Sequence, residues 1–141
     1  MALPEELPSL ASLSPVQRAA LLALWEVGEG TVYDLLDRFP DPKPPYTSVL
    51  SALQKLRNFG WVSFESVVGE KGRYYLYRPT RSREEAERTA ARSVVEEVFS
   101  GDAFRLAQHL LGQEALSAEE LAQLRKLIDE RRRGKKTNPE S

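Results

Sequence analysis

Tyr46-Thr47-Ser48-Val49-Leu50-Ser51-Ala52-Leu53-Gln54-Lys55-Leu56-Arg57-Asn58-Phe59-Gly60-Trp61-Val62 is the stretch from which the rest of the chain can be read. Wound as a helix from about Thr47 to Asn58, it gathers Val49, Ala52, Leu53 and Leu56 within one third of its circumference. Thr47, Ser48, Ser51, Gln54, Lys55 and Asn58 fall on the opposite arc. One face can dock on a small core. The other carries short hydroxyls, an amide and a cation, groups that can reach base edges and phosphate oxygens. Gly60 ends the helix, and Trp61-Val62 opens an extended segment.

Working outward toward the N-terminus, Ser14-Pro15 is a helix start, a capping hydroxyl followed by a residue that needs no amide hydrogen. The helix expected from Pro15 to Val27 is apolar on most sides, so it is the central buried helix of its domain, and Gly28 stops it. Thr31-Val32-Tyr33-Asp34 has capping-box spacing, and Val32, Leu35, Leu36 and Phe39 follow at helical intervals as a second short helix. Pro40, Pro42, Pro44 and Pro45 then forbid helix and stiffen the loop that leads into Tyr46. Residues 1–13 are proline-rich without periodicity and are expected to be a flexible lead.

Toward the C-terminus, Trp61 to Glu65 and Tyr74 to Tyr77 are β-prone runs separated by Gly69-Glu70-Lys71-Gly72, which has the composition of a hairpin tip. Three helices followed by a two-stranded hairpin make a winged helix-turn-helix, expected over residues 14–80. Ser82-Arg83-Glu84-Glu85 and Ser117-Ala118-Glu119-Glu120 are further capping boxes, and Asp102 caps a helix between them. The resulting helices, expected over residues 81–131, carry wide apolar stripes that include Val94, Val98, Phe99, Leu106, Leu110, Leu121, Leu124 and Ile128. Three short helices cannot close a core around such stripes. Either a second copy of the chain covers them in a two-fold dimer, or the winged helix does. Residues 132–141 are expected to be a basic disordered tail. The expected fold is thus mainly α with a small β-hairpin, a winged helix-turn-helix domain followed by a helical dimerisation domain.

Composition narrows the possibilities. The 141 residues are 41% hydrophobic and 29% charged, as in a folded soluble protein. The longest nearly pure apolar run, Ala19 to Trp25, is too short for membrane insertion, and the acidic, proline-containing N-terminus lacks an export signal, so the cytoplasm is the expected location. The absence of cysteine removes disulfides, thiolate metal sites and cysteine nucleophiles together. A net charge of −1 counts against nucleic-acid binding at first sight. From Thr47 to Arg78, however, five cations (Lys55, Arg57, Lys71, Arg73, Arg78) face two acids (Glu65, Glu70), a local excess of +3. Such a distribution permits a basic binding face.

The order of Tyr46-Thr47-Ser48-Val49, Leu53-Gln54-Lys55-Leu56, Gly60-Trp61-Val62 and Gly72-Arg73-Tyr74-Tyr75-Leu76-Tyr77-Arg78-Pro79-Thr80 resembles the penicillinase-repressor family, the BlaI, MecI and CopY-type transcriptional repressors. The similarity continues through Ser82 to Ala86, Phe99 to Asp102 and Leu116 to Leu121, and so covers roughly residues 13 to 131. It implies a homodimeric winged-helix repressor of a palindromic operator in double-stranded DNA, joined through its C-terminal helices. The sequence hallmarks of two control devices of the family do not carry over, although control by a membrane sensor protease stays open. Copper-responsive members have C-terminal cysteine pairs, and this chain has no cysteine. Members controlled by a membrane sensor protease are cut at an Asn-Phe bond, where alignment places His109-Leu110.

On this reading Thr47, Ser48, Ser51, Gln54 and Lys55 lie toward the major groove, with Gln54 suited to adenine and Lys55 to phosphate. Periodicity alone slightly favours an ordinary solvated face. Leu50, at the edge of the apolar arc, is either core rim or a thymine-methyl contact. Lys71 and Arg73 at the hairpin tip suit phosphate or minor-groove contact, or serve only solubility. At least one face of the alternating Tyr74, Tyr75 and Tyr77 belongs to the core, and His109, the single histidine, has no metal-ligating neighbours in sequence. No phosphate loop, nucleophile–histidine pair or metal motif is present, so no catalytic residues, metal or cofactors are expected. The near-neutral charge keeps a second class open, a winged-helix protein–protein interaction module.

Overall fold

A hydroxyl followed by proline opens the first helix because each satisfies one orphan group of a helix N-terminus. Ser14 Oγ accepts from the Gln17 amide at 3.2 Å, the Gln17 side chain accepts from the Ser14 amide at 3.0 Å, and Pro15 has no N–H to leave unpaired. The computed structural model of the chain describes residues 9–113 and 115–137, and in it this helix, α1, spans Pro15–Val27. Ala20, Leu21, Ala23 and Leu24 are buried, so α1 is the central helix that its apolar circumference predicts.

The second helix, α2, spans Val32–Leu36 and starts on a complete Thr31/Asp34 capping box. It ends earlier than the apolar spacing through Phe39 predicts. Lys43 folds back so that its ammonium donates to the carbonyls of Leu36, Asp37 and Phe39 at 3.1, 3.2 and 2.8 Å. A cation on these terminal carbonyls offsets the negative helix end and satisfies acceptors that a longer helix would have used. Phe39 is buried all the same.

The third helix, α3, spans Tyr46–Phe59, and Gly60 ends it in the left-handed conformation at φ 94°. The hairpin follows as β1, Val62–Gly69, and β2, Gly72–Pro79, antiparallel in a register that pairs Phe64 with Tyr77, Ser66 with Tyr75 and Gly69 with Gly72. Both strands run further toward the tip than the β-prone runs suggest, leaving Glu70-Lys71 as the turn. On its other edge β2 pairs with Gly30, ahead of α2. Tyr77 and Val62 enter the core with Trp61, Leu13 and the inward faces of α1, α2 and α3. The expected class, mainly α with a small hairpin in a winged helix-turn-helix, is the one observed.

The chain divides into two compact units, Met1–Arg92 and Ser93–Ser141. The expected boundary after residue 80 therefore moves. The reason lies at the start of α4, Arg83–Val98: Ala86 is buried in the core of the first unit, and the Trp25 indole donates to the Arg81 carbonyl at 2.9 Å. At Ser82 only half of the expected capping box forms, the Glu85 amide donating to the Ser82 hydroxyl. The expectation of a flexible lead is also overturned for residues 9–13. Leu10–Ser12 form a 3-10 turn capped by Ser9, and Leu13 is a core residue; residues 1–8 lie outside those described.

In the second unit, α5 spans Ala103–Gly112, capped by Asp102, and α6 spans Ala118–Thr137, capped by a reciprocal Ser117/Glu120 box. The Ser117 amide bond holds the Glu120 carboxyl below its ordinary pKa. Where a disordered tail is expected from residue 132, α6 continues to Thr137. Arginine and lysine are good helix formers, and their charge suits a helix C-terminus, so a basic run extends a helix as readily as it frays one. Residues 138–141 lie outside those described.

Candidate nucleic-acid interface

α3 is two-sided in fact as well as in pattern. Val49, Ala52, Leu53 and Leu56 are buried, while Thr47, Ser51, Gln54 and Lys55 are exposed and Ser48 is half-buried. Leu50 is half-buried and packs against the core cluster, which makes it a rim residue with part of its surface outward. Thr47, Ser48, Ser51 and Lys55 line an open groove of about 400 Å³ together with Gln17 of α1 and its capping residue Ser14. Ser14 Oγ and Gln17 Oε1 each accept from the other's backbone amide there.

The wing has two chemically different faces. Strand alternation puts Phe64, Ser66, Val68, Arg73, Tyr75 and Tyr77 on one side and Glu65, Leu76 and Arg78 on the other. On the second side the Arg78 guanidinium donates to Glu29 and, at 2.6 Å, to Glu65. These partners, Glu29 foremost, raise the Arg78 pKa further and offset its charge. One of the five cations in the local excess is thereby neutralised. On the first side Arg73 donates to the Ser66 hydroxyl at 2.8 Å, and Lys71 stands exposed in the turn. No acid pairs with Lys55, Arg57, Lys71 or Arg73 among the described residues. Positive charge is thus sorted onto the side of the wing that continues into the core-facing tyrosine. Of the three alternating tyrosines, Tyr77 is buried and Tyr74 and Tyr75 are exposed.

Three residues stand beside this face that are not among the expected DNA contacts. The Arg57 guanidinium lies over the Phe64 ring, 4.1 Å from its centroid. Tyr33, at the start of α2, and Tyr46, at the start of α3, bring their ring centroids to 4.9 Å, and both are exposed. Helical spacing contained a signal for two of them: Tyr46 and Arg57, three turns apart, project within roughly 20° of each other.

In the second unit none of the described residues of α5 or α6 is buried. Val94, Val98, Leu110, Leu121, Leu124 and Ile128 are exposed, whereas Phe99 and Leu106 are half-covered. Phe99 packs against the His109 ring at 5.7 Å. Phe104, Leu111 and Leu127 are exposed as well, so the apolar surface is wider than the eight residues picked from the stripes. The His109-Leu110 bond lies inside α5. Among the described residues no group of His, Asp and Glu could hold a metal ion, and no helix is long and apolar enough to cross a membrane.

A family model described as penicillinase repressor matches residues 13–130. Among solved structures, the chain is similar to Bacillus subtilis PadR in complex with operator DNA, at 21% identity over 86% of this chain and 70% of that one, with a TM-score of 0.42. It is also similar to the reduced form of MarR from E. coli, at 19% identity over 85% of this chain and 78% of that one, with a TM-score of 0.43. No curated protein matches the chain.

Proposed function

Because the chain belongs to the penicillinase repressor family, and is therefore a DNA-binding transcriptional regulator, we propose that it is a homodimeric repressor that occludes a promoter by occupying a palindromic operator. The observation that carries this reading is the outward row Thr47, Ser48, Ser51, Gln54 and Lys55, all exposed but the half-buried Ser48, on a helix whose other face is locked into the core. A helix anchored in this way presents its polar groups as a rigid edge to the major groove. The hydroxyls and Gln54 read bases, Gln54 by paired hydrogen bonds to adenine, and part of Leu50 reaches a thymine methyl. Lys55, Lys71 and Arg73 meet phosphates, which fixes register without reading sequence.

Dimerisation accounts for the second unit. Its exposed Val94, Val98, Leu110, Leu121, Leu124 and Ile128, with Phe99 and Leu106, form the apolar surface that a second copy covers. Two-fold symmetry in the protein then calls for a palindrome in the DNA, with half-sites spaced by whole helical turns. Such a repressor works where its operator lies, in the cytoplasm.

The direct test is footprinting of the region upstream of the gene while salt is raised. Protection of two half-sites, weakening linearly in log affinity against log salt, supports the proposal. Absence of protection on any fragment, with a stoichiometric protein partner recovered instead, contradicts it and favours a protein-interaction module.

A further inference from the structure

We propose that Arg57, held by the ring of Phe64, is a phosphate-contacting residue that ties the recognition helix to the wing on one DNA strand. The inference rests on the DNA-binding reading above and adds a contact which that reading does not contain.

Arg57 is exposed, lies in the last turn of α3, and places its guanidinium 4.1 Å from the Phe64 centroid. Phe64 is itself fixed, its ring 5.8 Å from the buried Tyr77 and 5.1 Å, edge-on, from Tyr75. A guanidinium that stacks uses its face and leaves its N–H donors, which all lie in its plane, free at the edge. That geometry suits an anion arriving from the side. Salt-bridged Arg78 shows the contrast: two carboxylates occupy its donors and offset its charge.

Position points to the same chemistry. On the helix Arg57 projects roughly 60° round from Gln54, toward the wing. Arg73, bonded to Ser66 on the Phe64 face of the hairpin, and Lys71 in the turn extend the line of unpaired positive charge. Helix, strand and turn thus present successive cations, the pattern that follows a phosphate backbone. Stacking also restricts the long Arg57 side chain before DNA arrives, so less rotamer freedom is lost on contact.

The test compares wild type, Arg57→Ala, Arg57→Lys, Phe64→Leu and Arg57→Ala/Phe64→Leu on one footprinted operator over a salt series, with thermal unfolding measured in parallel. Arg57→Ala is expected to bind roughly tenfold more weakly or worse. It should also flatten the log–log salt slope by about 0.9 for each Arg57 engaged, hence about 1.8 for a dimer. Phe64→Leu keeps apolar bulk but removes the π face, so it should weaken binding while the double variant is no worse than Arg57→Ala alone. Arg57→Lys should retain the slope and lose affinity. A salt slope unchanged in Arg57→Ala, with only a lowered Tm, overturns the inference and leaves Arg57 as a packing residue. A wild type without salt-dependent operator binding is a different result, the failure of the DNA-binding reading itself.

Discussion

Gly30 and Tyr77 exchange both backbone hydrogen bonds, the Gly30 amide donating to the Tyr77 carbonyl at 3.0 Å and the Tyr77 amide to the Gly30 carbonyl at 2.8 Å. This pair fastens β2 to the entry of α2, so the wing is tied to the helix pair at two places, through α3 at one end and through Gly30 here. A β-carbon at Gly30 would lie 3.1 Å from Asp34 Cβ, the residue that completes the α2 capping box. Gly30→Ala should therefore displace that cap and lower stability by about 1–2 kcal/mol. Thermal or urea unfolding checks this; an unchanged midpoint would show that the Asp34 side chain swings clear.

The two faces of α3 should separate cleanly in mutants. Leu56→Ala opens a cavity in the core and should cost about 2–5 kcal/mol, weakening DNA binding only through unfolding. Gln54→Ala should leave stability within about 0.5 kcal/mol and change base preference at one position of each half-site. Urea midpoints combined with competition binding on operator variants decide the matter, and a destabilised Gln54→Ala protein would mean the helix is misoriented.

Burial first, and then the neighbouring Tyr46, push the Tyr77 hydroxyl above its ordinary pKa near 10. A group whose folded pKa exceeds its unfolded value stabilises fully below the unfolded pKa and loses that contribution as pH rises through the folded value. Stability should thus fall above about pH 10, and Tyr77→Phe should show a shallower alkaline decline. Urea midpoints measured for both proteins from pH 8 to 11 would reveal it; parallel curves would contradict the assignment.

Val98 and Leu124 test the dimer surface because neither is buried within a single chain. Val98→Asp and Leu124→Asp should leave each chain folded and shift sedimentation from dimer to monomer, since an unpaired charge in an apolar interface is costly. A wild type that sediments as a monomer at micromolar concentration would remove the dimer from the account.

Much of the fold was legible because its signals are local. Ser14-Pro15 and Gly28 delimit α1, Thr31 with Asp34 starts α2, and Gly60 stops α3, each by backbone chemistry confined to a few residues. What escaped depends on contacts that periodicity and capping patterns do not show. The end of α2 is set by Lys43, the first unit extends to Arg92 through contacts such as Trp25 with Arg81, and Leu13 leaves the lead to join the core. The face of α3 could be drawn from periodicity. The stacking of Arg57 on Phe64 could not, because it needs the hairpin's register, and neither could the neutralisation of Arg78 by Glu29.

The most direct test of the central claim is selection of binding sites from a random duplex library by wild type and Gln54→Ala in parallel. Wild type should enrich two inverted half-sites, and the variant should enrich the same palindrome with base preference relaxed at one symmetry-related pair of positions. Enrichment of no sequence by wild type, or an identical preference at every position in both proteins, would contradict the assignment of α3 as the helix that reads DNA.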